Sequence, residues 1–459
     1  MPTVSRRKFI ARVAGVTAAG TLAARARGDD PVTRRPNVIV IFTDDLGYGD
    51  LGCFGHPTIH TPELDRMAAE GMKLTQFYVA APLCTPSRAG LLTGRLPVRS
   101  GLGGNRGVLF PGSGGGLPDS EVTIARLLHD AGYATACGGK WHLGHRRRYL
   151  PTRHGFDEYF GIPYSNDMKP CPVLDGEEVI EEPAVQETLT PRYTERAVSF
   201  IRRSRERPFF LYLAHTYPHV PLHASPRFAG QSRRGLYGDV VEELDWSAGV
   251  ILQELRDQGL ERDTLVIFTS DNGPWLTQGL AGGTAGPLRD GKESTWEGGL
   301  RVPCIAWWPG TVPAGTTAMD MASTLDLLPT CAELAGAEVP GDRAMDGASL
   351  MPLLHGGQGT RTEMAYYRGA ELDAYRVGPW KAHYVTRTGY GTDREERDPP
   401  LLFNLERDEG ERHDVAARNT DVIERIAAAV AAHKATIEPV ECQLDVPLPA
   451  GAAPGDIDA

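Results

Sequence analysis

The 459-residue chain lacks the marks of several protein classes. It has no basic excess: 48 Lys+Arg against 59 Asp+Glu leave a formal charge of −11. Nucleic-acid binders normally show the opposite balance, so no nucleic-acid partner is expected. An anionic ligand must be drawn in by local cations, because the overall field opposes it. The seven cysteines (53, 84, 137, 171, 304, 331 and 442) contain no C-x-x-C pair, which argues against structural zinc. Their odd number leaves at least one outside any intramolecular disulfide. No run reaches the ~18 continuous apolar residues of a membrane-spanning helix, and no internal repeat is visible. The glycine-rich run 101–116 has neither the spacing nor the βαβ context of a dinucleotide fingerprint, so it reads as a surface loop or rim. What is present, 41% hydrophobic and 23% charged residues, is ordinary for a globular chain with one large and one smaller domain.

Residues 1–26 carry five positive and no negative side chains. Arg6 and Arg7 precede Phe9 and Ile10, a weakly apolar stretch runs from Val13 to Ala24, and Ala24-Arg25-Ala26 fits a small-residue cleavage site. This segment resembles a twin-arginine export signal, although Ala11 stands where that pattern often carries Lys. The resemblance implies the twin-arginine translocase as a partner and a periplasmic or extracellular location. Removing the segment takes the charge from −11 to −16.

Short apolar runs recur at Val38–Phe42, Tyr133–Cys137, Phe209–Ala214, Leu265–Phe268 and Cys304–Trp308. They are continuous rather than alternating, which predicts strands buried on both faces. Helical patterns lie between them: one from Thr61-Pro62, others over about 123–131, 194–205 and 238–258. The alternation predicts an α/β fold with a large, mostly parallel sheet sandwiched by helices, over residues 35–354. After about Leu354 the pattern alternates (364–367, 375–384, 401–405), and an Ala-rich helix follows at 422–435. Residues 355–445 thus read as a small antiparallel sheet with a packed helix, and 446–459 as a flexible tail.

Ligands of open parallel sheets bind beyond the carboxyl ends of the strands. Val38–Phe42 is followed by Asp44 and Asp45, and Leu265–Phe268 by Asp271 and Asn272. If these strands are parallel neighbours, three carboxylates and an amide meet, and the carboxylates repel unless a cation sits among them. Oxygen donors suit Ca²⁺ or Mg²⁺. Tyr133–Cys137 leads to Lys140 and His142, and Phe209–Ala214 to His215 and His219. His215, His219 and His223 mimic a helical zinc motif, but Pro218 and Pro221 forbid that helix. His215 and His223 read as hydrogen-bonded structural groups.

Residues 84–95 read Cys-Thr-Pro-Ser-Arg-Ala-Gly-Leu-Leu-Thr-Gly-Arg. Cys84 stands at a helix start, where free N–H groups favour anions, and Arg88 adds a cation suited to an oxyanion. On these grounds Cys84 is a buried structural thiol, a low-pKa nucleophile or the precursor of another group. The run C-x-P-S-R-x-x-x-L-T-G-R matches the type I sulfatase signature, in which the Cys is oxidised to Cα-formylglycine. The resemblance extends over residues 37–55, 61–71, 138–144, 161–167, 218–221, 270–273 and 291–303, and the GIPYSND stretch is similar to the arylsulfatase A branch.

The resemblance implies an alkaline phosphatase-like fold and hydrolysis of sulfate monoesters, sulfated carbohydrates among them. It implies that Asp44, Asp45, Asp271, Asn272 and the modified Cys84 bind one divalent metal, Ca²⁺ or else Mg²⁺. Arg88 would orient the formylglycine, and Lys140, Ser165, His219 and Lys292 would contact the sulfate. His142 would take a proton from the formylglycine hydroxyl, and His219 or Lys292 would protonate the leaving oxygen. A formylglycine-generating or radical maturase is implied as a partner. Two alternatives share the motif: a formylglycine-dependent phosphonate or phosphate ester hydrolase, and a non-catalytic binder of sulfated glycans.

Overall fold

The computed structural model describes residues 35–458. The expected export segment, residues 1–26, lies outside them. Among the described residues no helix is long and apolar enough to cross a membrane.

A ten-stranded sheet organises the larger, N-terminal part. Its order is Thr316–Ala318, Met72–Leu74, Cys304–Trp307, Thr264–Ser270, Asn37–Thr43, Phe209–Ala214, Ala134–Lys140, Glu158–Ile162, Val173–Asp175 and Glu178–Glu181. The five strands from Thr264–Ser270 to Glu158–Ile162 are mutually parallel, and Cys304–Trp307 runs antiparallel beside them. The Asn37–Thr43 strand is buried throughout. Val38, Val40 and Phe42 enter one core with Leu91, Leu128 and Leu328, whereas Ile39 and Ile41 enter another with Met67, Ile201 and Leu244. A strand's side chains alternate between faces, so a continuous apolar run needs a helical layer on each. Each such side chain, fully buried, stabilises the fold by roughly 1.5–3 kcal/mol.

The Pro62–Glu70 helix starts where Thr61-Pro62 predicted, but Thr61 makes no side-chain cap. Asp245 of the Leu236–Asp257 helix accepts from the backbone N–H of Glu63 and Leu64 instead, at 3.2 and 2.8 Å. The cap therefore ties two helices of one layer together.

The C-terminal part is a four-stranded antiparallel sheet: Glu363–Arg368, Glu371–Val377, Trp380–Thr386 and Glu395–Asn404. The single segment expected over 375–384 is two strands, because Gly378 at φ 56° turns the chain between Val377 and Trp380. The Thr420–Lys434 helix covers this sheet with Val422, Ile426 and Val430. A buried ion network joins it to the larger part. Lys381 Nζ lies 3.0 Å from both Glu297 and Glu411, and His383 Nε2 lies 2.7 Å from Glu411.

Two expectations about the surface are corrected together. The run 101–116 is exposed only around Asn105, Arg106 and Phe110, and the rest is largely covered by the tail. The tail, expected to be flexible, is pinned there. Gly114 N–H donates to Val446 at 2.8 Å, Gly455 N–H to Pro111 at 2.9 Å and Arg147 N–H to Ile457 at 2.7 Å, and Ile457 is buried. A Cβ on Gly114 would stand 2.0 Å from the Pro447 carbonyl oxygen. The glycines thus leave the bare backbone that the tail needs for close approach.

Candidate active site

The strand register brings the predicted acids together. Thr43 pairs with Ser270, and Asp271 N–H donates to the Thr43 carbonyl at 3.0 Å, so the two acidic pairs emerge side by side. Asp45, at φ 68°, donates its N–H to Asp271 Oδ1 at 3.1 Å and accepts from Asn272 Nδ2 at 2.7 Å. Cys84 opens the wholly buried Cys84–Thr93 helix, and its Sγ lies 3.3 Å from Asp44 Oδ1. Ligand atoms of Asp44, Asp45, Cys84 and Asp271 all lie within 4.8 Å of one another. His219 joins a second group with Asp44 and Cys84; His215 and His223 belong to neither.

Cations surround this floor. Arg88 Nη2 lies 2.8 Å from Asp271 and 3.4 Å from Asp44, so the guanidinium faces carboxylates. Lys140 Nζ pairs with Asp44 and lies 3.1 Å from Ser165 Oγ. Lys292 Nζ lies 2.8 Å from Asp45 Oδ1. Burial alone would raise Asp44, but Lys140, His219, Arg88 and Lys292 hold its carboxyl well below the usual range. Asp271 goes the other way: burial and then Asp44 push it up to about 7 despite Arg88. Burial and then Asp44 push the Cys84 thiol well up, so these surroundings do not make it a low-pKa thiolate.

The crowding tests the site for a metal. Asp271 is driven towards its protonated form, and the buried Asn272 Oδ1 accepts no hydrogen bond. Both would be satisfied by one hard cation, so the donor set fits Ca²⁺ or Mg²⁺.

Two histidines are held neutral. Burial, then Lys140 and Arg88, push His142 well down. Its Nε2–H donates to the Leu109 carbonyl at 2.9 Å, which leaves Nδ1 as a buried, unpartnered lone pair. Thr85 fixes the same unit, donating to the His142 carbonyl at 2.9 Å and accepting from Leu109 N–H at 3.2 Å. Burial and then Lys292 lower His219, whose Nδ1 faces the Val220 carbonyl. Burial would lower Lys292, but Asp45 raises it well above the ordinary lysine value. His215 is buried against Ser247, 3.3 Å away, as expected of a structural group.

Cys84, His142, Ser165, His219 and Lys292 line one cavity of about 240 Å³; Arg88 and Lys140 lie behind it. Sequence reasoning missed Trp275 and Tyr390, which stack in its wall with centroids 4.8 Å apart, and Asp167 and Glu293 beside them. Trp275 stands two residues after the 270–273 motif, a weak signal; Tyr390 had none.

Clustered acids at parallel strand ends, buried cations and a modifiable side chain at a helix start define a hydrolase for esters of an anionic group. The sulfatase family model matches residues 36–337, and the model of the C-terminal region of aryl-sulfatase matches residues 359–450. The chain belongs to the sulfatase family and is a sulfuric ester hydrolase. It is 42% identical to N-acetylgalactosamine-6-sulfatase of Canis lupus familiaris, over 93% of this chain and 91% of that protein. It is 43% identical to human (Homo sapiens) arylsulfatase A, over 84% of each. The crystal structure of PsFucS1 sulfatase from Pseudoalteromonas sp. superposes with a TM-score of 0.82 at 28% identity, over 89% of this chain and 92% of that one.

Proposed function

We propose that this sulfatase acts on sulfated carbohydrates, with Cys84 converted to Cα-formylglycine and one divalent cation beside it. The observation that carries the reading is the gathering of Asp44, Asp45 and Asp271 around Cys84, which itself lines a cavity with His142, His219 and Lys292. Asp44, Asp45, Asp271 and Asn272 would hold Ca²⁺ or Mg²⁺, which supplies fixed positive charge against the sulfate oxygens. Formylglycine at residue 84 would supply an oxygen nucleophile and a second hydroxyl.

The chain's own residues do the rest. Lys292 is a buried cation in the cavity wall that would meet a sulfate there, Ser165 adds a hydroxyl donor, and Lys140 adds positive charge from behind, beside Asp44 and Ser165. Arg88 keeps Asp44 and Asp271 close despite their repulsion. His142 Nδ1 is a proton acceptor that is unprotonated at neutral pH. Lys292 or His219, both in the cavity wall, would protonate the leaving oxygen. A sugar is supported by the acidic and aromatic wall of the small cavity and by the named substrate of the N-acetylgalactosamine-6-sulfatase relative. A maturase would act on Cys84, and residues 1–26 would direct export through the twin-arginine translocase.

The test is a peptide mass spectrum across residue 84, followed by turnover of an aryl sulfate against an aryl phosphonate. Formylglycine with preferential sulfate turnover is expected. An unmodified Cys84 in fully active protein, or a preference for phosphonate, would overturn the reading.

A further inference from the structure

We propose that Tyr390 is a specificity-determining residue of this enzyme, presenting one face of its ring to the sugar that carries the sulfate. The proposal rests on the reading of the chain as a carbohydrate sulfatase.

Tyr390 belongs to a loop of the C-terminal part. It lies in the run Thr388-Gly389-Tyr390-Gly391, between the Trp380–Thr386 and Glu395–Asn404 strands. It nevertheless lines the cavity that holds Cys84, His142 and Lys292. One ring face stacks on Trp275, with the planes 14° apart. The residue is still 40% exposed, so part of its surface is free for a ligand. Trp275 itself is already engaged: Lys292 Nζ lies 4.4 Å from its ring centroid and the His219 ring 5.4 Å away. Of the two aromatics, Tyr390 is the one with surface to offer.

The loop is built to hold this ring. Tyr390 sits at φ 58°, a conformation uncommon for a bulky side chain and typical of strained functional positions. Two carboxylates flanking Lys292 hold it: Asp290 accepts from Gly389 N–H at 2.9 Å, and Glu293 accepts from Tyr390 N–H at 3.0 Å. Arg368, 2.8 Å from Glu293, fixes that carboxylate in turn. Gly389 passes so close that a Cβ there would stand 2.3 Å from the Lys292 carbonyl oxygen. Small-molecule sites combine such apolar aromatic walls with a few polar groups that fix orientation. A sugar ring has an apolar C–H face to lay on Tyr390, and Arg106 and Asp167 line the same cavity within its polar wall.

The full-length, Cys84-modified protein is assayed on monosulfated galactose, N-acetylgalactosamine and N-acetylglucosamine, with inorganic sulfate as a competitive inhibitor. For the sugar turned over best, Tyr390→Ala is expected to raise KM about tenfold while the inhibition constant of sulfate changes less than about twofold. Tyr390→Phe is expected to keep the parental KM, because the ring face rather than the hydroxyl is used. Tyr390→Leu, apolar but not flat, replaces the Ala variant if that fails to fold. A parallel weakening of sulfate inhibition would mean that the ring acts only through Trp275 on Lys292; an unchanged KM would mean that it touches no sugar. Either result overturns the proposal. An enzyme that hydrolyses an aryl sulfate but none of the sugars removes the carbohydrate reading and the proposal with it. Failure on every sulfate ester would instead count against the catalytic site itself.

Discussion

Cys84 Sγ stands 3.3 Å from Asp44 Oδ1 at the end of the central strand. That contact makes residue 84 part of the acidic cluster, and its side chain is buried there rather than free to react as a thiol. Cys84→Ala is therefore expected to lower kcat by more than about 10³-fold, beyond the loss from one electrostatic donor. Circular dichroism of the variant should match the parent, because the helix start is otherwise unchanged. Full activity would refute the mechanism.

The crowding of Asp44, Asp45 and Asp271 predicts cation-dependent stability. Chelation should lower the melting temperature, and Ca²⁺ or Mg²⁺ should restore it. Saturation at a hundredfold excess over Kd stabilises by about 2.7 kcal/mol. In Asp271→Asn the response should shrink. A melting temperature indifferent to chelator would exclude a cation at these residues.

His142 must be unprotonated to accept a proton, and its surroundings push it well below 6.5. The acid limb of kcat assigned to this group is thus expected below pH 6.5. His142→Ala should lower kcat by roughly 10²–10⁴-fold and remove that limb. A limb at or above 6.5 that persists in the variant would assign it to another residue.

His145 and His154 are buried neutral, each pushed down to about 4 by burial. The unfolded chain binds these protons near 6.5, so the unfolded state is favoured as pH falls from 6.5 towards 4. Each group then removes up to about 3 kcal/mol of stability present above pH 6.5. Urea midpoints should fall across this window, and less steeply in His154→Gln. Equal slopes in parent and variant would exclude His154 as a cause.

Lys381 lies between Glu297 and Glu411 with no exposed surface. Lys381→Met removes the cation that Glu297 and Glu411 share and should destabilise by about 3–5 kcal/mol. Adding Glu411→Gln should recover part of that loss, measured as a double-mutant cycle by chemical denaturation. Strict additivity would show that the pair is uncoupled.

The catalytic floor was legible in the primary structure because its elements are locally coded. Continuous apolar runs can be satisfied only inside a covered parallel sheet, and side chains that follow such strands must share its edge. Asp44, Asp45, Asp271 and Lys140 were placed by that rule, and Cys84 by its twelve-residue signature. Tertiary structure alone decided what depends on distant segments meeting. Tyr390 reaches Trp275 across more than a hundred intervening residues, Lys381 finds Glu297, and the tail finds the bare backbone of Gly114. Periodicity reports which face of an element is buried; it carries no information on which remote loop closes over that face.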